Sequence, residues 1–502
     1  MDHDGLGHWI ERRRLRSPHD TAIVCEDETL TYAQLADRSA AVAAMLADLG
    51  IERGERVAYF GENSPEFMTV LFGCAIAGAV FVPINTRLAA PEIVHVIGDS
   101  GSRVLVHDGG MGARFDPVLD ACELAEVIHT GDELDGRLAA TGSAKAAAVT
   151  LDDPAAIIYT SGTTGRAKGA VLTHGNLTWV ALNCIVDYHV TSADVALMIS
   201  PMFHVASLGM GALPIVLAGG TLVVERGFDP GRALAQIQRH KVTMLSGVPT
   251  TFQMIADHPD WAATDLSSLR KLTCGGSPAT PRIIDAYEER GLAFSQGYGM
   301  TEASPGVTAL SPAMTLEKKG SVGLPHFFTH LRVAREDGGI AATGEVGEIE
   351  ITGPNVFGGY HGLPEINKEV FTEDGWFRSG DLGYLDEDGY LFISGRKKDM
   401  IISGGENIYP AEVEAAISDM PGVTGVAVVG MPDDQWTEVP WAVLTVRDGI
   451  EVDTDAVREH LDGRLARYKL PVKAVVVDEL PRTASGKVKK MDLKATLEAS
   501  GA

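Results

Sequence analysis

The sequence predicts an α/β chain: a large amino-terminal domain of parallel and mixed sheets flanked by helices, then a small α+β domain. Three observations predict it. Past residue 56 the apolar runs read strand, helix, strand, an order that requires parallel pairing through crossovers. Several later apolar runs end in glycine-bearing turns, the kind found at the ligand-binding carboxyl ends of parallel strands. At Gly395-Arg-Lys-Lys-Asp399 a charged break separates the run Tyr390 to Ile393 from Met400 to Ile402, which divides the chain into 1–396 and 397–502.

Taken in order, Thr31 caps a helix whose apolar stripe is Leu35, Val42, Leu46 and Leu49, with Gly50 just beyond its end. Arg56 to Phe60 reads as a strand, Pro65 to Gly78 as a helix and Ala79 to Pro83 as a strand. Ala140 to Leu151, rich in alanine and small polar residues, reads as a connector. Val242 to Leu245 and Leu269 to Thr273 read as buried strands ending in turns at Gly247-Val-Pro and Gly275-Gly-Ser-Pro278. In the last hundred residues Pro410 opens a helix, Val423 to Val429 and Trp441 to Val446 read as strands, Asp453 to Ala466 as a helix and Lys473 to Val477 as a strand.

The chain has 502 residues, more than a single hydrophobic core usually supports. Its net charge of −26 argues against nucleic acid or an anionic membrane surface as partner. Arg12, Arg13, Arg14 and Arg16 cluster near the start, where a solvated helix face accounts for them. The 5 cysteines lack any Cys-x-x-Cys spacing and read as buried free thiols of a reducing compartment. No signal peptide is legible, and the longest apolar run, Leu71 to Ile84, is too short to span a bilayer. These features predict a cytoplasmic protein without integral membrane association. Oligomeric state is not legible.

Chemistry concentrates in Tyr159-Thr-Ser-Gly-Thr-Thr-Gly-Arg-Ala-Lys-Gly169, between two apolar runs. Glycines expose backbone N–H groups, and Thr160, Ser161, Thr163, Thr164, Arg166 and Lys168 add donors; such a loop is built to hold an anion, which phosphate fits best, and a flexible Gly/Ser/Thr surface turn is the plain alternative. It is not a Walker loop, because no Gly-Lys pair is followed by Ser or Thr at the required spacing. Pro201-Met-Phe-His204 precedes an apolar segment and reads either as a packed core histidine or as a polar tip in a ligand pocket. Gln296-Gly-Tyr-Gly-Met-Thr-Glu302 reads as a turn bearing a flat aromatic, a hydroxyl and a carboxylate suited to Mg²⁺ beside phosphates, or as an ordinary turn with a surface Glu. Asp381 follows a turn, and its two oxygens match paired ribose hydroxyls as well as they match a cap. Lys487 stands in the polar loop Pro481-Arg-Thr-Ala-Ser-Gly-Lys487, where a solvated lysine is the plain alternative.

Together these segments, from Thr31 to Lys490, resemble the adenylate-forming superfamily of acyl-CoA synthetases, luciferases and peptide-synthetase adenylation domains. The pattern is nearest to bacterial fatty-acyl or aryl-CoA ligases, by Val82-Pro-Ile-Asn-Thr-Arg87, Pro201-Met-Phe-His204 and Gly404-Gly-Glu-Asn-Ile-Tyr-Pro410. The resemblance implies ATP, Mg²⁺ and CoA as cofactors and co-substrates, and a small-molecule carboxylic acid as substrate. It also implies a mobile carboxyl-terminal lid.

Residue by residue, it implies that Thr160, Ser161, Gly162, Thr163, Thr164, Gly165 and Lys168 cradle the β- and γ-phosphates. Gly275, Gly276 and Ser277 would line the adenine and acyl pockets. In the stretch Gln296, Gly297, Tyr298, Gly299, Met300, the tyrosine would stack on adenine. Thr301 would touch the α-phosphate and Glu302 would bind Mg²⁺. Asp381 would take the ribose hydroxyls, Arg396 the ribose and phosphate region, and Lys487 the adenylation step. Lys398 occupies the hinge position; Gly404, Gly405, Glu406 and Trp436 would flank the CoA channel. His204, Val205, Leu208 and Gly209, with Val248, Met300 and Pro305, would form an apolar acyl pocket of some depth, for a medium-chain, cyclic or aromatic acid.

The implied activity is acid:CoA ligation through acyl-AMP with release of pyrophosphate. The pattern departs at Ala167, where proline is usual, and at Thr437, where glycine is usual, with Pro440-Trp441 where small residues are usual. Thr437 and Trp441 keep open an amide-bond synthetase that passes the adenylate to an amine. A catalytically silent scaffold is the third reading. A peptide-synthetase module is disfavoured, because His204 stands where such modules place an aspartate.

Overall fold

Arg56–Phe60 pairs in parallel with Val80–Ile84, register Arg56↔Val80 through Phe60↔Ile84, and the helix Pro65–Ala77 makes the crossover between them. Ser64 caps that helix by accepting from the Phe67 amide, Pro65 occupies its first turn, and Gly78 ends it at φ 73°. The computed structural model describes residues 5–110, 112–160, 166–276, 281–403, 406–433, 435–447, 449–483 and 487–500. They form two compact units that alternate along the chain. The first holds Met1–Glu317, Pro325–His330 and Ile351–Gly375; the second holds Lys318–Leu324, Leu331–Glu350 and Trp376–Ala502.

In the first unit a six-stranded sheet runs in the order Glu126–His129, Ser102–His107, Arg56–Phe60, Val80–Ile84, Pro154–Thr160, Lys168–Thr173. All its pairs are parallel except the last, an antiparallel hairpin in which Thr160 faces Lys168. A second sheet contains six consecutive parallel strands: Phe294–Gly299, Lys271–Gly275, Met244–Gly247, Val195–Met198, Thr221–Val224 and Thr21–Cys25. Leu197, Val223, Leu245, Leu272 and Phe294 pack one face of it against Leu234, Phe252, Ile255 and Tyr287 of the covering helices. Burial of this aromatic and aliphatic surface is what holds the strand ends in register.

In the second unit Phe377–Leu385 and Leu391–Arg396 form an antiparallel pair. A five-stranded sheet contains Ile401–Ser403, Glu406–Ile408, Val423–Asp433, Thr437–Val446 and Lys473–Val476. It carries one core around Val413, Ile417, Val457 and Leu461 and another around Leu480, Leu493 and Leu497.

Three sequence expectations are corrected. Gln296 to Gly299 is not a turn but the end of a strand, paired antiparallel with Gly306–Leu310. Asp381 lies inside a strand opposite Arg396, not after a turn. The helix expected to reach Ala466 is Thr454–Leu461, since Gly463 at φ 72° takes the chain out of helical geometry. Arg13 and Arg14 are engaged with the Leu217 carbonyl and with Asp37. Of the cysteines, Cys25, Cys74, Cys184 and Cys274 are buried free thiols, and Cys122 is half-buried. Among the described residues no helix is long and apolar enough to cross a membrane.

Candidate functional site

The carboxyl ends of the parallel strands supply the first part of the site. Gly275 pairs directly with Gly297, so two adjacent strands end on bare backbone. A Cβ on Gly297 would stand 2.7 Å from the Thr308 carbonyl oxygen, whereas one on Gly275 would meet nothing nearer than 3.8 Å. Gly276, at φ 83°, lies beside Val248, the cap residue of the helix Pro249–Ala256. Flat strand ends of this kind let a planar base approach the main chain, so the arrangement fits a nucleotide.

The strand Phe294–Gly299 runs on into a short 3-10 turn, Thr301–Ala303. That turn is clasped by the returning segment 355–360. Asn355 Nδ2 donates to the Ala303 and Gly306 carbonyls at 2.9 and 2.7 Å, and the Phe357 amide donates to the Glu302 carbonyl at 2.8 Å. Tyr360 Oη donates to Glu302 Oε1 at 2.6 Å. Among the described residues no donor reaches the other oxygen, and no group of three or more His, Cys, Asp or Glu gathers into a metal site. One carboxylate with an oxygen to spare fits Mg²⁺ held mainly by phosphate oxygens and water.

The phosphate-loop hairpin stands next to the same segment. The Val171 amide donates to the Gly359 carbonyl at 3.1 Å and the His361 amide to the Gly169 carbonyl at 2.8 Å. Lys168 Nζ lies 5.2 Å from the centroid of the Tyr360 ring. The helix Ala90–Ser100 braces the other flank: Tyr159 Oη donates to Asp99 at 2.6 Å, and His95 Nε2 lies 3.0 Å from the Ala167 carbonyl oxygen. Burial, then the adjacent carboxylate, pushes the Tyr159 hydroxyl upward, so it remains a donor. His95 and Asp99, four apart on one helix face, were not singled out in the sequence; the only signal was that spacing. Thr160 and Lys168 are thus placed at the loop's neck, while Ser161, Gly162, Thr163, Thr164 and Gly165 lie outside the described residues, as does Ser277.

In the apolar wall Val205 and Leu208 are buried, and Phe203 packs on His204 with centroids 4.6 Å apart. The glycines there do not add depth as expected. A Cβ on Gly209 would fall 2.4 Å from the Ser304 carbonyl oxygen, and one on Gly211 2.9 Å from Met198 Cε. Gly209 thus lets the helix approach the turn that precedes Pro305, and Gly211 lets it approach the side chain of Met198 at the end of the strand Val195–Met198. Met300 joins that turn, its amide donating to the Pro305 carbonyl at 3.0 Å.

The second unit presents its own set. Asp381 is 8% exposed, with its Oδ1 3.4 Å from Arg396 Nε, so the two cross-strand partners form one polar spot. Lys398 is the middle residue of the 3-10 turn Lys397–Asp399. Lys487 closes the neck of its loop: its amide donates to Thr483 Oγ1 at 3.1 Å, and its carbonyl accepts from the Thr483 amide at 2.7 Å. Trp436 is 47% exposed at a turn in which Asp433 Oδ1 accepts from the Gln435 and Trp436 amides, both at 2.9 Å. Gly404 and Gly405 lie outside the described residues; Glu406 begins the strand Glu406–Ile408.

Of the departures noted from sequence, Trp441 is explained by packing. It sits in mid-strand opposite Val429, against the Leu480, Leu493 and Leu497 cluster, with Lys473 Nζ 4.6 Å from its ring centroid. Thr437 is different: it adopts φ 72°, a left-handed conformation that a β-branched residue tolerates poorly. Thr437→Gly is expected to raise stability by about 1 kcal/mol, the left-handed penalty less the entropy that glycine loses on folding. Chemical denaturation checks this, and a destabilised variant would show that the threonine side chain contributes more than its strain costs.

Known proteins bear on this geometry. The family model described as AMP-binding enzyme matches residues 10–361, and that of the AMP-binding enzyme C-terminal domain matches 412–487. A feruloyl-CoA synthase from Amycolatopsis sp is 48% identical over 98% of this chain and 99% of its own. An indoleacetate–CoA ligase from Aromatoleum aromaticum is 40% identical over 97% of each. The solved structure of ATP-bound MatB from Rhodopseudomonas palustris superposes with a TM-score of 0.91 at 33% identity, over 99% of this chain and 100% of that one. The relatives named are acid–thiol ligases, which supports thiol rather than amine transfer. On the family match and the near full-length likeness, the chain belongs to the AMP-binding enzymes of the adenylate-forming superfamily and is an AMP-forming acyl-CoA ligase that uses ATP, Mg²⁺ and CoA.

Proposed function

We propose that the acid this ligase activates is aromatic, a cinnamate- or arylacetate-like carboxylate, taken by the apolar wall of Val205, Leu208, Val248 and Pro305 with His204 at its polar tip. The observation that carries this reading is the 48% identity, over nearly the whole chain, to a feruloyl-CoA synthase. The indoleacetate–CoA ligase supports the same class.

In the first half-reaction the acid is already a carboxylate at neutral pH and needs no general base. Its attack on the α-phosphate brings two anions together, so catalysis rests on cations and aimed donors. Lys487 supplies the cation at the reacting phosphate, and Thr301 donates to its oxygens. Thr160 and Lys168, with the loop between them, hold the β- and γ-phosphates so that pyrophosphate leaves in line. Glu302 holds Mg²⁺, which when bound neutralises phosphate charge. Tyr298 stacks on the base between the strand ends at Gly275 and Gly297, and Asp381 with Arg396 takes the ribose.

In the second half-reaction a turn about Lys398, separating 397–502 from 1–396, replaces Lys487 by the segment 404–406, beside Trp436, as the thiol's entry. The enzyme works in the cytoplasm, a placement supported by the free thiols. A panel of acids assayed with ATP and CoA is expected to give aryl-CoA thioesters fastest. Saturated fatty acids outrunning every aryl acid would sink the substrate class; acyl-AMP accumulating without thioester would sink the acceptor.

A further inference from the structure

The returning segment 355–361 lies outside every motif singled out above, yet its Tyr360 touches two of the groups assigned to Mg²⁺ and ATP. We propose that Tyr360 is a positioning residue that couples the metal-binding carboxylate to the phosphate-loop lysine. Its hydroxyl sets the orientation of Glu302, and its ring face seats Lys168. This rests on the reading of Glu302 as the Mg²⁺ ligand and Lys168 as a phosphate ligand.

The tyrosine is itself held on several sides. Its amide donates to Asn367 Oδ1 at 2.7 Å, and its carbonyl accepts from Asn367 Nδ2 at 3.0 Å. Phe357 meets its ring edge-to-face, with centroids 4.9 Å apart and planes at 78°. Its backbone bridges Ala170 of the phosphate-loop strand. The two strands of contact therefore converge on one rigid side chain: a 2.6 Å hydrogen bond to Glu302 Oε1 and a cation–π contact of 5.2 Å to Lys168.

A hydrogen bond to one oxygen of a metal-binding carboxylate fixes the rotamer of the other. Such outer partners typically govern metal affinity by about 10- to 100-fold when removed. Loss of the hydroxyl should therefore weaken ATP only when the metal is present, and loss of the ring should also loosen Lys168.

The test is equilibrium binding of ATP without any acid, so that no turnover occurs, in Mg²⁺ and in EDTA. Tyr360→Phe is expected to raise the Kd of ATP in Mg²⁺ about 10-fold and to leave the Kd in EDTA at the wild-type value. Tyr360→Leu is expected to weaken binding in both. Glu302→Gln serves as the control for the underlying assignment and should abolish the benefit of Mg²⁺. If Glu302→Gln loses that benefit while Tyr360→Phe binds as wild type, the coupling role is overturned and the metal assignment stands. If Tyr360→Phe weakens binding equally with and without metal, its role is merely structural, and the proposal is likewise overturned. If Glu302→Gln keeps the wild-type metal dependence, the assignment of the carboxylate fails and the proposal fails with it.

Discussion

Lys487→Ala is expected to lower acyl-adenylate formation by about 100- to 1000-fold, the scale set by removing one aimed donor from a site where charge develops. It should leave thioester formation from supplied acyl-AMP near the wild-type rate. The asymmetry follows from the chemistry: the first step joins a carboxylate to a polyanion and needs a cation at the α-phosphate, whereas the second starts from an adenylate already made. The loop should survive the change, because the bonds that close its neck, Lys487 amide to Thr483 Oγ1 and Thr483 amide to the Lys487 carbonyl, involve only the main chain at position 487. Pyrophosphate release and thioester formation, measured separately, decide the matter; equal loss of both would remove Lys487 from its assigned step.

The reverse pattern is expected for Lys398→Pro. Proline holds φ near −65° and restricts the residue before it, here Lys397, so a turn that must change its backbone angles between two half-reactions is locked in one state. The bond that closes the 3-10 turn, the Met400 amide donating to the Arg396 carbonyl at 3.1 Å, does not use the amide at 398, so proline there does not remove it. Adenylation should continue, and thioester formation should fall by about an order of magnitude or more. An unchanged second step would rule out a hinge at this position.

Much of this was legible in the sequence wherever the determinant was local. The strand Arg56–Phe60 falls on the residues expected, and the helix from Pro65 ends within a residue of its reading, because cap, periodicity and terminating glycine all lie within a few positions of one another. The two strands that flank the loop between Thr160 and Lys168 were legible for the same reason, as apolar runs on either side of a contiguous glycine-rich stretch. Gln296 to Gly299 and Asp381 were misplaced because glycines that look like turn residues instead sit in strands whose partners, Gly306–Leu310 and Leu391–Arg396, decide the conformation. Tyr360 and the His95–Asp99 pair carried almost no sequence signal. Their meaning depends on contacts with Glu302 and with the loop's two flanks, which only the folded chain brings together.

One feature of the first unit bears on how the protein is made. The strand Lys168–Thr173 is the last in its sheet, and among the described residues its outer edge is met by residues 359–361. During synthesis that edge must wait for about 190 further residues, roughly ten to forty seconds at ordinary elongation rates, before its natural partner emerges. Unpaired strand edges are templates for pairing with other chains. A ribosome-bound intermediate carrying the finished hairpin Pro154–Thr173 therefore presents an open edge to neighbouring nascent chains, and the arrival of Gly359 to His361 closes that interval.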